Sequence, residues 1–197
     1  DVVEGLAKGK CLDLSQSLPI ENLNIKIEGT TDISAINDSA VIIITAGIAR
    51  KPGMSRDDLI ETNFSIMNEI GKGIKKFSPS SFVICVTNPL DAMVWSLREI
   101  SGIKPNMITG MAGILDSARF RFFLSQELNI SVESIQTMVL GGHGDTMVPL
   151  TRYSTVAGIP VPDLIKMGWS TADRIEKIVQ RTRCLLYTSD AADDSLR

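Results

Sequence analysis

The sequence predicts an α/β protein: a partial doubly wound parallel sheet followed by a smaller, truncated α+β unit. Three observations carry this. Val41–Ile44 and Phe82–Val86 are unbroken apolar runs of strand length, the pattern of strands buried on both faces. Helical patterns longer than about ten residues separate such runs, which indicates βαβ units. After about Gly110 the texture changes to shorter apolar stretches broken by glycine.

Taken in order, Asp1-Val2-Val3-Glu4-Gly5 leads into a helical pattern carrying Leu6, Cys11, Leu12 and Leu14. Ile25-Lys26-Ile27 alternates as a short strand should. Val41–Ile44 is the first buried strand, and a long helix is expected from about Asp57 to Lys76. Ser55, followed by Asp58, supplies a capping signal for that helix and places Arg56 in its first turn. Phe82–Val86 is the second buried strand. A helix then runs from Pro89 to about Ser101, with Pro89 at its first position and Asn88 as N-cap. Met107-Ile108 predicts another short strand, and Leu115 to Leu128 another helix. In the second unit, Ile135–Leu140 and Met147–Val156 are expected as strands around a glycine turn, before a helix from Ser170 to Arg183. Cys184 to Arg197 shows neither helical continuation nor strand alternation; it is set outside the fold as non-native sequence or an acidic tail. The expected domains are therefore 1–110, 111–183 and a tail of 184–197.

Composition narrows the function classes. Of 197 residues, 44% are apolar and 22% charged, enough to build a core. A net charge of −3 provides no general basic field, so neither nucleic acid nor an anionic membrane is an expected partner. Runs such as Val41–Ala46 are far too short to span a bilayer, and no charged-then-apolar leader opens the chain. Cys11, Cys85 and Cys184 are widely separated and form neither a metal spacing nor a disulfide framework. A cytoplasmic setting and no metal are expected.

The chemistry gathers at strand ends and at one turn. His143, the only histidine, lies in Gly141-Gly142-His143-Gly144-Asp145. Glycines there permit close approach of a ligand or of another backbone segment. Thr45 to Asp58 follows the first buried strand and carries Arg50, Lys51 and Arg56 in a stretch rich in glycine and proline. It reads either as a solvated basic loop or as a flap over an anionic ligand, which arginine can grip through two oxygens. Asn88 follows the second strand, where capping alone accounts for it and where a side-chain amide also reaches a ligand. Asp116 and Arg119 share a helix face, as a surface ion pair or as two separate tools: an acid for His143 and a cation for a carboxylate. Asp145 rivals Asp116 as the partner of His143, and spacing alone does not choose between them. A hydrolase built on Cys85 and His143 is disfavoured, because Cys85 sits inside an apolar run. Gly71-Lys72-Gly73 lies in a helical pattern rather than after a strand, so it is not a phosphate-binding turn.

Asp1–Gly5, Thr45–Leu59, Val86–Asp91, Leu115–Arg121 and Gly141–Pro149, in this order and spacing, resemble the lactate/malate dehydrogenase family, most closely the malate dehydrogenases of its lactate-dehydrogenase-like branch. The resemblance covers about residues 1–183 and implies a Rossmann sheet, NAD as cofactor, a small dicarboxylate substrate and a homo-oligomer. It implies that His143 is the proton donor and acceptor and that Asp116 orients it. Arg119 would bind the substrate's C1 carboxylate, and Arg56 would polarise the reacting carbonyl. Arg50 would meet a second carboxylate, where lactate enzymes typically carry glutamine. Asn88 would contact nicotinamide and substrate, Val86 would line the cofactor site, and Asp1 would bind the adenosine ribose. The activity implied is NAD-dependent oxidation of (S)-malate and its reverse. A lactate or other 2-hydroxyacid dehydrogenase is the alternative within the enzyme class, and a non-catalytic dicarboxylate or nucleotide binder the alternative outside it. The family's GxGxxG turn has no counterpart in these residues, so the chain is expected to be an internal segment with little activity of its own.

Overall fold

The computed structural model describes the backbone of residues 1–49, 55–143 and 146–193; the side chains of residues 4, 56 and 184–193 lie outside the description. The chain divides into two units. One comprises Asp1–Gly47, Glu61–Thr87 and Met93–Thr109; the other comprises Ile48–Ile60, Asn88–Ala92 and Gly110–Arg197.

The first unit is built on a sheet of order β1-β2-β3, where β1 is Val41–Ile44, β2 Phe82–Cys85 and β3 Ile108–Gly110. β1 and β2 are parallel, with Val41 opposite Phe82 and Ile44 opposite Cys85. The helices are α1 (Glu4–Ser17), α2 (Arg56–Phe77), from Glu61 on, and α3 (Leu90–Ser101), from Met93 on, so strands and helices alternate as the apolar runs predict. Met67, Ile74, Val83, Cys85, Met93 and Leu97 are fully buried. Gly71 and Gly73 are packing positions. A Cβ on Gly71 would lie 2.8 Å from a methyl carbon of Ile100, and one on Gly73 2.2 Å from the tip of Ile33. Gly29 serves α1 in the same way, because a Cβ there would lie 2.5 Å from the carbonyl oxygen of Ala7.

β1 and β2 are not buried on both faces. Ile42 and Ile44 point into the core, whereas Val41 is 51% and Ile43 63% exposed, and β2 alternates likewise between buried and half-buried residues. Ile25–Ile27 forms no strand, for it has no ladder partner; its polar neighbours Lys26 and Glu28 pair with each other in solvent instead. The third strand begins at Ile108 rather than Met107, which closes a one-turn 3-10 segment, Pro105–Met107. α3 starts at Leu90, so Pro89 and Asn88 precede the helix, and the bond between them is cis.

In the second unit, α4 (Gly113–Leu128), α5 (Val161–Lys166) and α6 (Ala172–Asp193) accompany two small antiparallel sheets. The expected strand over 135–140 splits into β4 (Ile135–Gln136) and β5 (Val139–Leu140), which join different sheets. The expected strand over 147–156 splits into β6 (Val148–Pro149) and β7 (Thr155–Val156), with a 3-10 turn at Thr151–Tyr153 between them. β4 pairs with β7, β7 with β8 (Ile159–Pro160), and β5 with β6. Phe120, Phe123 and Leu124 of α4 meet Ile175, Ile178 and Val179 of α6 in one apolar cluster that also takes in Val139 and Met147. The helix that ends this unit does not stop near Arg183 but continues to Asp193. Cys184 to Asp193 contains neither glycine nor proline, so nothing in its backbone chemistry breaks the helix.

Candidate active site

The second unit assembles its polar centre from α4 and from the turn joining β5 to β6. α4 carries Asp116 in its first turn. The Asp116 side chain is only 3% exposed, and a carboxylate buried to that degree requires partners. It has two. His143 Nδ1 lies 2.9 Å from Oδ2, and Arg119 NH1 donates to Oδ1 across 3.4 Å. An ionised carboxylate only accepts hydrogen bonds, so the ring carries its proton on Nδ1 and leaves Nε2 as the exchangeable nitrogen. The pair on α4 is not the solvated surface bridge that helix spacing alone allows, since Arg119 is 18% exposed beside the buried acid.

The two glycines before His143 lie close against other protein atoms. Gly141 has φ +91°, and a Cβ there would lie 2.5 Å from the carbonyl oxygen of Thr146. A Cβ on Gly142 would meet Thr146 Oγ1 at 2.5 Å and Asp91 Oδ2 at 3.1 Å. These glycines therefore make room for protein atoms. On the return side, Met147 is buried and its carbonyl accepts a 3.0 Å hydrogen bond from Arg183 Nε on α6. On the outgoing side, Val139 N–H donates to Ser117 Oγ at 3.0 Å, and Thr137 Oγ1 donates to the Ser117 carbonyl at 2.7 Å. Neither Ser117 nor Thr137 is singled out by the sequence. The available signal was a serine in a helix interior, where its hydroxyl has little use for the helix itself.

The other candidates are distributed as follows. Arg50 and Asp145 lie outside the described residues, and so does the side chain of Arg56, whose backbone opens α2. The cap expected there is present: Ser55 N–H donates to Asp58 Oδ2 and Asp58 N–H to Ser55 Oγ, each at 3.0 Å. These bonds from Ser55, the side chain first and then the backbone, hold the Asp58 carboxyl below its ordinary range. Asn88 belongs to the second unit and is exposed. Val86 extends the β2 ladder by donating its N–H to the Ile44 carbonyl at 2.8 Å, and Thr87 Oγ1 donates to the Ala46 carbonyl at 2.7 Å. Asp1 is exposed, and its Oδ1 accepts from Val3 N–H at 3.2 Å. Cys85 is fully buried and burial pushes its thiol up, as befits a structural cysteine rather than a nucleophile. No group of acids, cysteines and histidine suited to a metal ion occurs among the described residues, and no helix there is long and apolar enough to cross a membrane.

Two family profiles match the chain: the NAD binding domain of lactate/malate dehydrogenase over residues 1–110, and the alpha/beta C-terminal domain of the same family over residues 114–184. Among solved structures, malate dehydrogenase from Plasmodium falciparum is 41% identical with a TM-score of 0.88, over 94% of this chain and 59% of that one. Malate dehydrogenase from Picrophilus torridus is 48% identical with a TM-score of 0.85, over 93% and 57%. Lactate dehydrogenase from Eimeria maxima, solved with NADH and oxamate, is 41% identical with a TM-score of 0.85, over 93% and 56%. The chain thus spans less than three fifths of the length of each of these similar proteins.

Proposed function

Since this chain belongs to the lactate/malate dehydrogenase family, we propose that the whole protein catalyses NAD-dependent oxidation of (S)-malate to oxaloacetate and the reverse. The observation that carries the reading is the 2.9 Å contact between His143 and a buried carboxylate delivered by a different element. A passive anion site has no use for an oriented imidazole, whereas an alcohol dehydrogenation must take up one proton for each hydride removed. NAD, when bound, would supply the acceptor for the hydride at C2 of the substrate.

The residues divide the remaining work. His143 Nε2 takes the hydroxyl proton, and Asp116 holds the ring in the required tautomer and stabilises the imidazolium that forms. Arg119, beside this pair, grips the C1 carboxylate. Arg56, at the start of α2, stabilises negative charge developing on the carbonyl oxygen in the reductive direction. Arg50 meets the second carboxylate. The residues fit the cofactor in part. β1 and β2 end on the same side because they are parallel, and ligands of open α/β sheets bind beyond such carboxyl ends. Val86, which extends the β2 ladder, and the exposed Asn88 two residues further along the chain are assigned to the nicotinamide half. Asp1 offers a carboxylate to the adenosine ribose, which disfavours a 2′-phosphate and favours NAD over NADP.

The choice of malate over lactate rests on the identity of residue 50. With a substrate that has only one carboxylate, Arg50 would keep its charge in a closed site without a partner, a cost of several kcal/mol. Initial rates of the whole protein with oxaloacetate, pyruvate and other 2-oxoacids test this. Oxaloacetate is expected to be preferred, and Arg50→Gln is expected to move preference toward pyruvate by about 10²-fold or more in kcat/KM. Unchanged ratios would remove Arg50 from the role and leave a 2-hydroxyacid dehydrogenase of other specificity.

A further inference from the structure

The motif Leu115–Arg121 supplies Asp116 and Arg119 to the site, and Ser117, which follows the acid, has a separate task. Ser117 lies on α4 next to the acid, and both of its oxygens take a partner outside the helix. Its Oγ accepts from Val139 N–H at 3.0 Å, and its carbonyl accepts from Thr137 Oγ1 at 2.7 Å. Two bonds from one residue thus fasten α4 to residues on either side of Met138. One ends on the first residue of β5, the strand that leads into Gly141 and His143. The fit is close as well as polar, since a Cβ on Gly113 at the start of α4 would lie 3.3 Å from the Val139 carbonyl. Val139 itself is buried in the apolar cluster that α4 shares with Met147, the residue leading into the return strand.

We infer that Ser117 is a positioning residue for His143: it clasps α4 to β5 and thereby sets the separation of Asp116 from the imidazole. The inference rests on the proposed proton-transfer role of His143. The reason is geometric. Asp116 and Val139 are fixed to adjacent points of α4, one through its own backbone and the other through Ser117. The path from Val139 to His143 is short, a strand of two residues paired, among the described residues, only with β6 and then a glycine pair. If the clasp is removed, β5 and the turn can drift from the acid while α4 stays in place. Misplacement of a catalytic group by about an ångström costs as much as 10²-fold in rate.

The test compares Ser117→Ala, Ser117→Thr and Thr137→Val in the whole protein. Ser117→Ala is expected to lower kcat about 10-fold to 100-fold while KM for NADH stays within a factor of two. Ser117→Thr, which keeps the hydroxyl, is expected to recover most of that loss. Thr137→Val cuts the second bond with little change of shape and should show a smaller loss of the same kind, so the inference remains testable where Ser117→Ala fails to fold. The deshielded Nδ1 proton of His143, identified by NMR from its disappearance in His143→Asn, should be protected in wild type and lost to rapid exchange in Ser117→Ala. A wild-type protein that turns over, with Ser117→Ala retaining kcat and the protected proton, would overturn the inference. So would a loss of thermal stability without either change. A wild-type protein that turns over no 2-oxoacid would sink the dehydrogenase reading instead, and the proton signal would still report on the clasp.

Discussion

His143 shows how much of a residue's role is set by what it faces. Its neighbours along the chain are glycines, yet the atom that fixes its tautomer comes from Asp116, 27 residues earlier. Spacing in the sequence leaves Asp116 and Asp145 level as partners, because a distance along the chain says nothing about which segments fold together. Asp116→Asn should therefore lower kcat by about 10²–10⁴-fold, since an amide can present its N–H to Nδ1 and favour the wrong tautomer. His143→Asn should abolish turnover, and neither variant should weaken NADH binding measured by fluorescence. A nucleotide affinity that fell with turnover would point to a binding role for the pair. The glycines were legible as sites of close approach, but what approaches them is the Thr146 carbonyl and side-chain oxygens of the protein. The sequence alone does not distinguish that from room left for a ligand.

Among the elements, long helices and buried strands were readable because their signals are local. The β-branched run at 41–44 and the amphipathic stretch after Ser55 needed no knowledge of their neighbours. The cap of α2 was readable for the same reason, and it carries a prediction about acid. Asp58 is held below the ordinary value of 3.8 by its bonds from Ser55. A carboxyl whose folded value is depressed contributes stability that is full well above that ordinary value and disappears as pH falls through the folded one. Acid should thus fray the first turn of α2, and Asp58→Asn in the whole protein should unfold with a shallower dependence on pH in the acid limb, as measured by thermal melts across a pH series. Equal slopes would show that the cap is not coupled to folding. The strands of the second unit were not readable as they are, because each is two residues long and is defined by partners far away in sequence. Ile25–Ile27 fails in the opposite sense: it has the alternation of a strand but no ladder to join.

For the molecule as a whole, the order of strands and helices was legible and the covering of the sheet was not. Continuous apolar runs imply burial on both sides, yet the outer face of β1 leaves Val41 and Ile43 in solvent. A parallel sheet with an apolar face exposed at an edge strand is a poor stand-alone fold. The 197-residue chain by itself is therefore expected to unfold with little cooperativity, to self-associate and to show no more than trace turnover. Scanning calorimetry, sedimentation and an NADH-linked assay would check this, and stoichiometric NAD binding with a sharp transition would contradict it. The bond from Arg183 to the Met147 carbonyl extends further than its length suggests. It joins α6 to Met147, the residue that leads into β6, and so gives the return strand an anchor outside its own sheet.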